Sequence, residues 1–198
     1  MNESEELRRQ WDERYRANGA AMPEAARVLS EYRHLLPATG RALDLACGLG
    51  GNALLLAEAG LETWAWDLSA VAVARLAELA AARALPIHVE QRDVIACPPP
   101  PQSFDVITVS RFLERALAPV LSQALRPGGL LFYQTFTKAR LGEGGPRNPA
   151  YLLDDNELLA LFSGLRVRAY REEGLVGDLG RGWRGEALLV AQKPEVGA

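Results

Sequence analysis

Apolar positions recur along this chain in two alternating rhythms. Mostly apolar runs of strand length occupy 42–46, 61–66, 87–90, 104–109 and 130–136, and stretches with helical spacing lie between them at 52–59, 70–85 and 112–125. Gly60, Pro86 and the Pro127-Gly128-Gly129 triplet punctuate the changes. Strict alternation of strand and helix predicts a parallel sheet with helices on both faces and a ligand site at the carboxyl ends of the strands. Two later runs, 165–171 and 183–192, flank a glycine-laden link short enough for a hairpin, so the sheet should end antiparallel. The expected class is α/β: a Rossmann-like, seven-stranded, mostly parallel sheet with a C-terminal antiparallel hairpin strand.

Outside this core the pattern is helical at the start. Leu7, Trp11 and Tyr15 stand four apart in a charged stretch over 2–18 that Asn18-Gly19 closes. Such a helix either docks on the surface or forms a lid over a ligand. A second helix is expected over 24–36, stopped by Pro37, and Ser69 is a good N-cap for the alanine-rich helix that follows it. Pro98 to Pro101 read as a stiff connector, 138–150 as a loop, and 154–156 as the cap of a helix reaching Phe162. The whole of 1–198 reads as one domain, with a helical cap at 1–37, a ligand-binding core at 41–136 and a substrate-side region at 137–198.

The chemistry concentrates where the first strand ends. Gly48, Gly50 and Gly51 follow the apolar run and precede Asn52, which makes strand, tight turn, helix. Glycine there accepts positive φ and lets a ligand approach the backbone, and a helix start favours an anionic or polar group. Asp44 lies inside the strand, where burial is unfavourable without a donor or a cation. Asp67 ends the second strand, where a carboxylate binds two ribose hydroxyls. Asp93 follows the third and offers an acceptor for an adenine amino group.

Composition narrows the partners. The 198 residues are 48% hydrophobic and 24% charged, with net charge −3 and pI near 5.5, which argues for a soluble cytoplasmic protein and against strong nucleic-acid or membrane binding. Cys47 and Cys97 read as free thiols, and with only His34 and His88 there is no metal-ligand spacing. Neither histidine is placed to act as a general base.

Gly48, Gly50 and Ala53 also satisfy the dinucleotide fingerprint, with Asp67 about 20 residues on. Three features oppose a dinucleotide: the carboxylate at Asp44 before the turn, the lack of room for a substrate domain, and the C-terminal hairpin. LDLACGLGGNALLLAEAG followed by AWDLS instead resembles the class I S-adenosylmethionine-dependent methyltransferases, and the WDERY, GGN and AWD details resemble their tellurite-resistance and thiopurine group.

That resemblance implies S-adenosylmethionine as cofactor and a small-molecule acceptor, with a soft nucleophile such as a thiol or a selenium or tellurium oxyanion as one option. RNA or protein methylation, and cofactor binding without catalysis, are the alternatives. It further implies that Asp44, Gly48, Gly50 and Asn52 hold the methionine end, Asp67 the ribose, and Leu68, Asp93 and Val94 the adenine. Ser110 and Arg111 would lie nearest the sulfonium. Arg111 and Tyr15 are the expected positioning residues for transfer, and Trp11, Arg115, Arg147 and Tyr151 the expected acceptor contacts. The Asn148-Pro149-Ala150-Tyr151 and Cys97-Pro98 sequences look like catalytic elements of nucleic-acid methylation but follow or precede the wrong strands.

Overall fold

The computed structural model describes residues 3–17, 22–142 and 144–195. Seven strands form one sheet: β1 (Arg41–Leu45), β2 (Glu62–Asp67), β3 (Ile87–Gln91), β4 (Phe104–Ser110), β5 (Leu125–Phe136), β6 (Arg166–Arg171) and β7 (Glu186–Gln192). Their spatial order is β3-β2-β1-β4-β5-β7-β6. The first five pair in parallel, and β7 runs antiparallel to both β5 and β6. The expected architecture, hairpin included, is the one observed.

The helices are α1 (Glu3–Ala17), α2 (Arg27–Glu31), α3 (Gly51–Glu58), α4 (Ala70–Ala82), α5 (Ala118–Ala124) and α6 (Glu157–Leu161). Leu43, Leu45, Ile107, Val109, Leu131 and Leu189 build one face of the core, and Ala42, Leu56, Val106, Phe132, Leu188 and Val190 the other. Neighbouring residues of β1, β4, β5 and β7 serve opposite faces, the period of two that a doubly covered sheet requires. Ser69 caps α4 as expected, its hydroxyl accepting the Ala72 amide at 3.2 Å. Both cysteines are free. Among the described residues no helix is long and apolar enough to cross a membrane.

Three differences from the sequence reading are the largest, and in the first two a tertiary contact overrides propensity. The helix expected over 24–36 shrinks to α2 and a 3₁₀ turn, Arg33–Leu35. Asn52 captures the Ala26 amide at 2.8 Å and the Glu24 carbonyl packs on Gly51, which holds the preceding segment extended. The helix expected from 112 begins only at Ala118, with Pro119 in its first turn, where a missing N–H is tolerated. Before it, Arg111 adopts φ +53° and donates its amide to the Gln134 carbonyl at 2.8 Å. The expected turn at Pro127-Gly128-Gly129 lies inside β5, beside a register shift against β4. Asn18-Gly19, the expected end of the first helix, lies outside the described residues.

Candidate active site

The turn after β1 is built by bonds that reach across the strand ends. The Cys47 amide donates to the Trp66 carbonyl at 2.9 Å, and the Gly50 amide to the Cys47 carbonyl at 2.9 Å. Gly48 has φ +53° and Gly50 φ +82°, the left-handed region that favours glycine. A Cβ on Gly50 would overlap Leu76, so α4 packs directly on the turn. At Gly48 the turn is covered by helix α1, since a Cβ there would lie 2.8 Å from the Tyr15 hydroxyl.

Asp67 fixes the turn from β2. One oxygen accepts the Gly48 amide at 2.8 Å and the other the Ser69 amide at 2.8 Å. Burial nevertheless pushes its pKa up. The Leu68 amide also acts on this carboxylate, and with about four acceptor positions in all a carboxylate so bonded still has acceptor capacity for a hydroxyl.

Asp44 is fully buried, and the chain itself supplies its donors. Asn52 Nδ2 donates to one oxygen at 3.2 Å and the Ala53 amide to the other at 3.0 Å. The anion that the start of α3 was expected to attract is therefore in part Asp44. Burial dominates over these bonds and raises its pKa to about 7, with the Asp67 charge adding to the shift. Asn52 is the hub of this corner: it also donates to Ser110 Oγ at 3.0 Å while accepting the Ala26 amide.

Helix α1 lies across this surface. Ser4 Oγ donates to Asp93 at 2.8 Å, Asp12 accepts from Ser69 Oγ at 2.5 Å, and Arg75 donates to the Tyr15 carbonyl at 2.5 Å. Trp11 and Tyr15 stack with ring centroids 5.8 Å apart. Burial and the neighbouring Asp67 hold the Tyr15 hydroxyl well above its ordinary pKa, so it stays protonated, a donor poised over Gly48. The helix is thus docked across the turn, an arrangement that both the surface-helix and the lid readings allow.

Two cavities open near this corner, one beside Leu68 and Asp93 and one beside Ser110. One, of about 210 Å³, is lined by Leu68, Gln91, Arg92 and Asp93 with Ser4, Glu5 and Arg8 of α1. Asp93 also accepts the Ile95 and Ala96 amides at 3.0 and 3.2 Å, and these bonds with that from Ser4 lower its pKa. Val94 beside it is buried in the core. The other cavity, of about 620 Å³, lies past Ser110 and Arg111 and reaches Gln134, Trp183 and Glu186.

The remaining expected contacts lie elsewhere. Arg115 is spent on structure: Nε and an Nη hold Glu157 at 2.6 and 3.0 Å, and its other bonds go to the Ala150 and Leu152 carbonyls. Arg147 and Tyr151 are exposed on the loop before α6. None of the three lines either cavity. Gln134 and Glu186 escaped the sequence reading, although a lone amide in the apolar run LLFYQTF is a signal, since a buried amide must find partners.

Residues 42–129 match the model of the methyltransferase domain. The fold is that of the class I methyltransferases, and the matched stretch is 88 of the 198 residues. It is 31% identical over 105 residues to a ubiquinone biosynthesis O-methyltransferase of Idiomarina loihiensis, a match covering 50% of this chain and 43% of that one. The chain thus spans less than half the length of that curated relative. TehB from Haemophilus influenzae superposes with TM-score 0.71 at 19% identity, covering 92% of this chain and 67% of TehB. A protein solved in work on the conversion of a disulfide bond into a thioacetal group during echinomycin biosynthesis gives TM-score 0.70 at 22% identity, covering 95% and 92%. These two likenesses show the fold.

The site suits the cofactor that this domain implies. A glycine turn, a strand-end carboxylate tied to it, and a cavity between Leu68 and Asp93 next to that carboxylate are the groups an adenosyl ligand and its amino-acid tail would use.

Proposed function

We propose that the protein is an S-adenosylmethionine-dependent methyltransferase acting on a small molecule. The observation that carries this reading is the Asp67 carboxylate, tied to the Gly48 amide and flanked by the Leu68–Asp93 cavity. In this reading Asp67 holds the ribose hydroxyls, and Leu68, Asp93 and Val94 border the adenine. Asp44, Gly48, Gly50 and Asn52 shape the methionine end, where Asp44 in its ionised form meets the ammonium. Ser110 and Arg111 then face the reacting centre, where the cofactor supplies an activated methyl on a sulfonium. The chain's own part is to align the acceptor and exclude water, and α1, with Trp11 and Tyr15, covers the site for that purpose.

A soft acceptor, a thiol or a selenium or tellurium oxyanion, is a second reading. It is supported by the likeness to TehB and to the protein of thioacetal formation. The test is formation of S-adenosylhomocysteine from S-adenosylmethionine with a panel of phenols, amines, thiols and oxyanions. Acceptor-dependent product establishes transfer. Cofactor binding with no product from any acceptor would instead favour a silent binding protein.

A further inference from the structure

The larger cavity carries a buried charge that the transfer reading leaves unused. β7 runs against β5, so its first residue, Glu186, pairs with Phe136 at the carboxyl end of the sheet, beside Ser110 and Arg111. The Glu186 side chain is only 11% exposed.

Its orientation is dictated from behind. Gln134 is 3% exposed, and its Oε1 accepts the Val28 amide at 2.9 Å. The amide group is thereby fixed, so its NH₂ must face Glu186, where it donates to Oε2 at 2.6 Å. The other oxygen, Oε1, has the Arg111 guanidinium at 3.5 Å, on a side chain 69% exposed. That is a long contact to a group that water screens. A carboxylate so enclosed, with one oxygen well bonded and the other weakly met, gains from a further donor.

Resting on the transferase reading of the neighbouring site, we infer that this cavity is the acceptor subsite and Glu186 its anchor. The acceptor it selects carries an O–H or N–H group that donates to Glu186 Oε1. Thiolates and inorganic oxyanions, which offer negative charge where Glu186 already places one, are disfavoured. The Trp183 indole, with the Arg27 guanidinium 5.4 Å from its ring centre, forms a wall of the same cavity.

The test uses the protein saturated with S-adenosylhomocysteine and four probes: catechol and tyramine, which carry O–H or N–H donors, and thiophenolate and selenate, which are anions without one, with affinities read by ligand-observed NMR. The comparison variant is Glu186→Gln, whose carbonyl still accepts from Gln134 but which turns a donor into the cavity. Catechol or tyramine is expected to bind the native protein and to weaken about tenfold or more in the variant, with S-adenosylhomocysteine affinity and melting temperature unchanged. Preference for thiophenolate or selenate, equal binding to native and variant, or no binding of either protic probe would overturn the inference. Failure of S-adenosylhomocysteine itself to bind would strike the transferase reading instead, and is seen before any probe is added.

Discussion

The Asp67 carboxylate accepts the Gly48 amide at 2.8 Å across the ends of two neighbouring strands, so the residue proposed to take the ribose also sets the shape of the glycine turn. Removing the carboxylate in Asp67→Ala leaves the Gly48 and Ser69 amides without their acceptor. A fall in unfolding free energy of about 1–3 kcal/mol is expected for each donor left buried and unpaired. Asp67→Asn, which keeps one acceptor oxygen, is expected to fall between the two proteins in urea titrations. A variant as stable as the native chain would show that the turn does not depend on this bond.

Tyr15 closes the same turn from above. Gly48→Ala introduces a Cβ at φ +53°, a strain of about 1–2 kcal/mol, and sets it 2.8 Å from the Tyr15 hydroxyl. The next ring atom is 3.5 Å away, an ordinary contact. Adding Tyr15→Phe to Gly48→Ala is therefore expected to recover part of the lost stability, measured as a double-mutant cycle. Strictly additive effects would place the ring elsewhere in solution.

Asp44 makes stability depend on pH with a sign opposite to that of most carboxylates. Its pKa rises from an ordinary 3.8 to about 7 in the folded chain. Between those values the folded state keeps a proton that the unfolded state releases, so stability falls as pH rises, by at most about 1.4 kcal/mol per pH unit. Above about pH 7 both states are ionised and the fall is complete. Asp67, raised by burial as well, acts in the same direction. Urea midpoints at pH 5 and 7 check this, and Asp44→Asn is expected to flatten the trend. If Asp44 meets the ammonium of the cofactor, S-adenosylhomocysteine affinity rises over the same interval, because binding then selects the ionised form.

Arg115 is predicted to matter for stability and not for ligands. Its guanidinium joins Glu157 of α6 to the Ala150 and Leu152 carbonyls. Arg115→Ala is expected to lower stability by about 1 kcal/mol, a figure kept small because the side chain is 37% exposed. S-adenosylhomocysteine affinity is expected to stay unchanged in calorimetry. A loss of acceptor-dependent turnover with stability and S-adenosylhomocysteine affinity intact would restore the acceptor role.

Local signals carried most of this architecture into the sequence. Strand periodicity, the three glycines of the turn and the Ser69 cap each act within a few residues, and all appear in the structure where the pattern puts them. What the pattern could not carry were bonds between distant segments. Asn52 reaches back to Ala26 and forward to Ser110, and by doing so shortens α2 and supplies Asp44 with the donor that its burial requires. That removes one argument against a dinucleotide, since Asp44 needs no cation to be buried. Glu186 illustrates the same limit: one glutamate among many in the sequence becomes a cavity-floor carboxylate only through antiparallel pairing with β5 and the Gln134 amide behind it.

The central claim, an adenosyl site and not a dinucleotide site, is tested most directly by isothermal titration of the native protein with S-adenosylmethionine, S-adenosylhomocysteine and NAD, repeated on Asp67→Asn. The account predicts saturable binding of both adenosyl ligands, weakened about tenfold or more in the variant by loss of the charged acceptor, and no binding of NAD. Binding of NAD alone, or adenosyl affinity indifferent to Asp67, would contradict it.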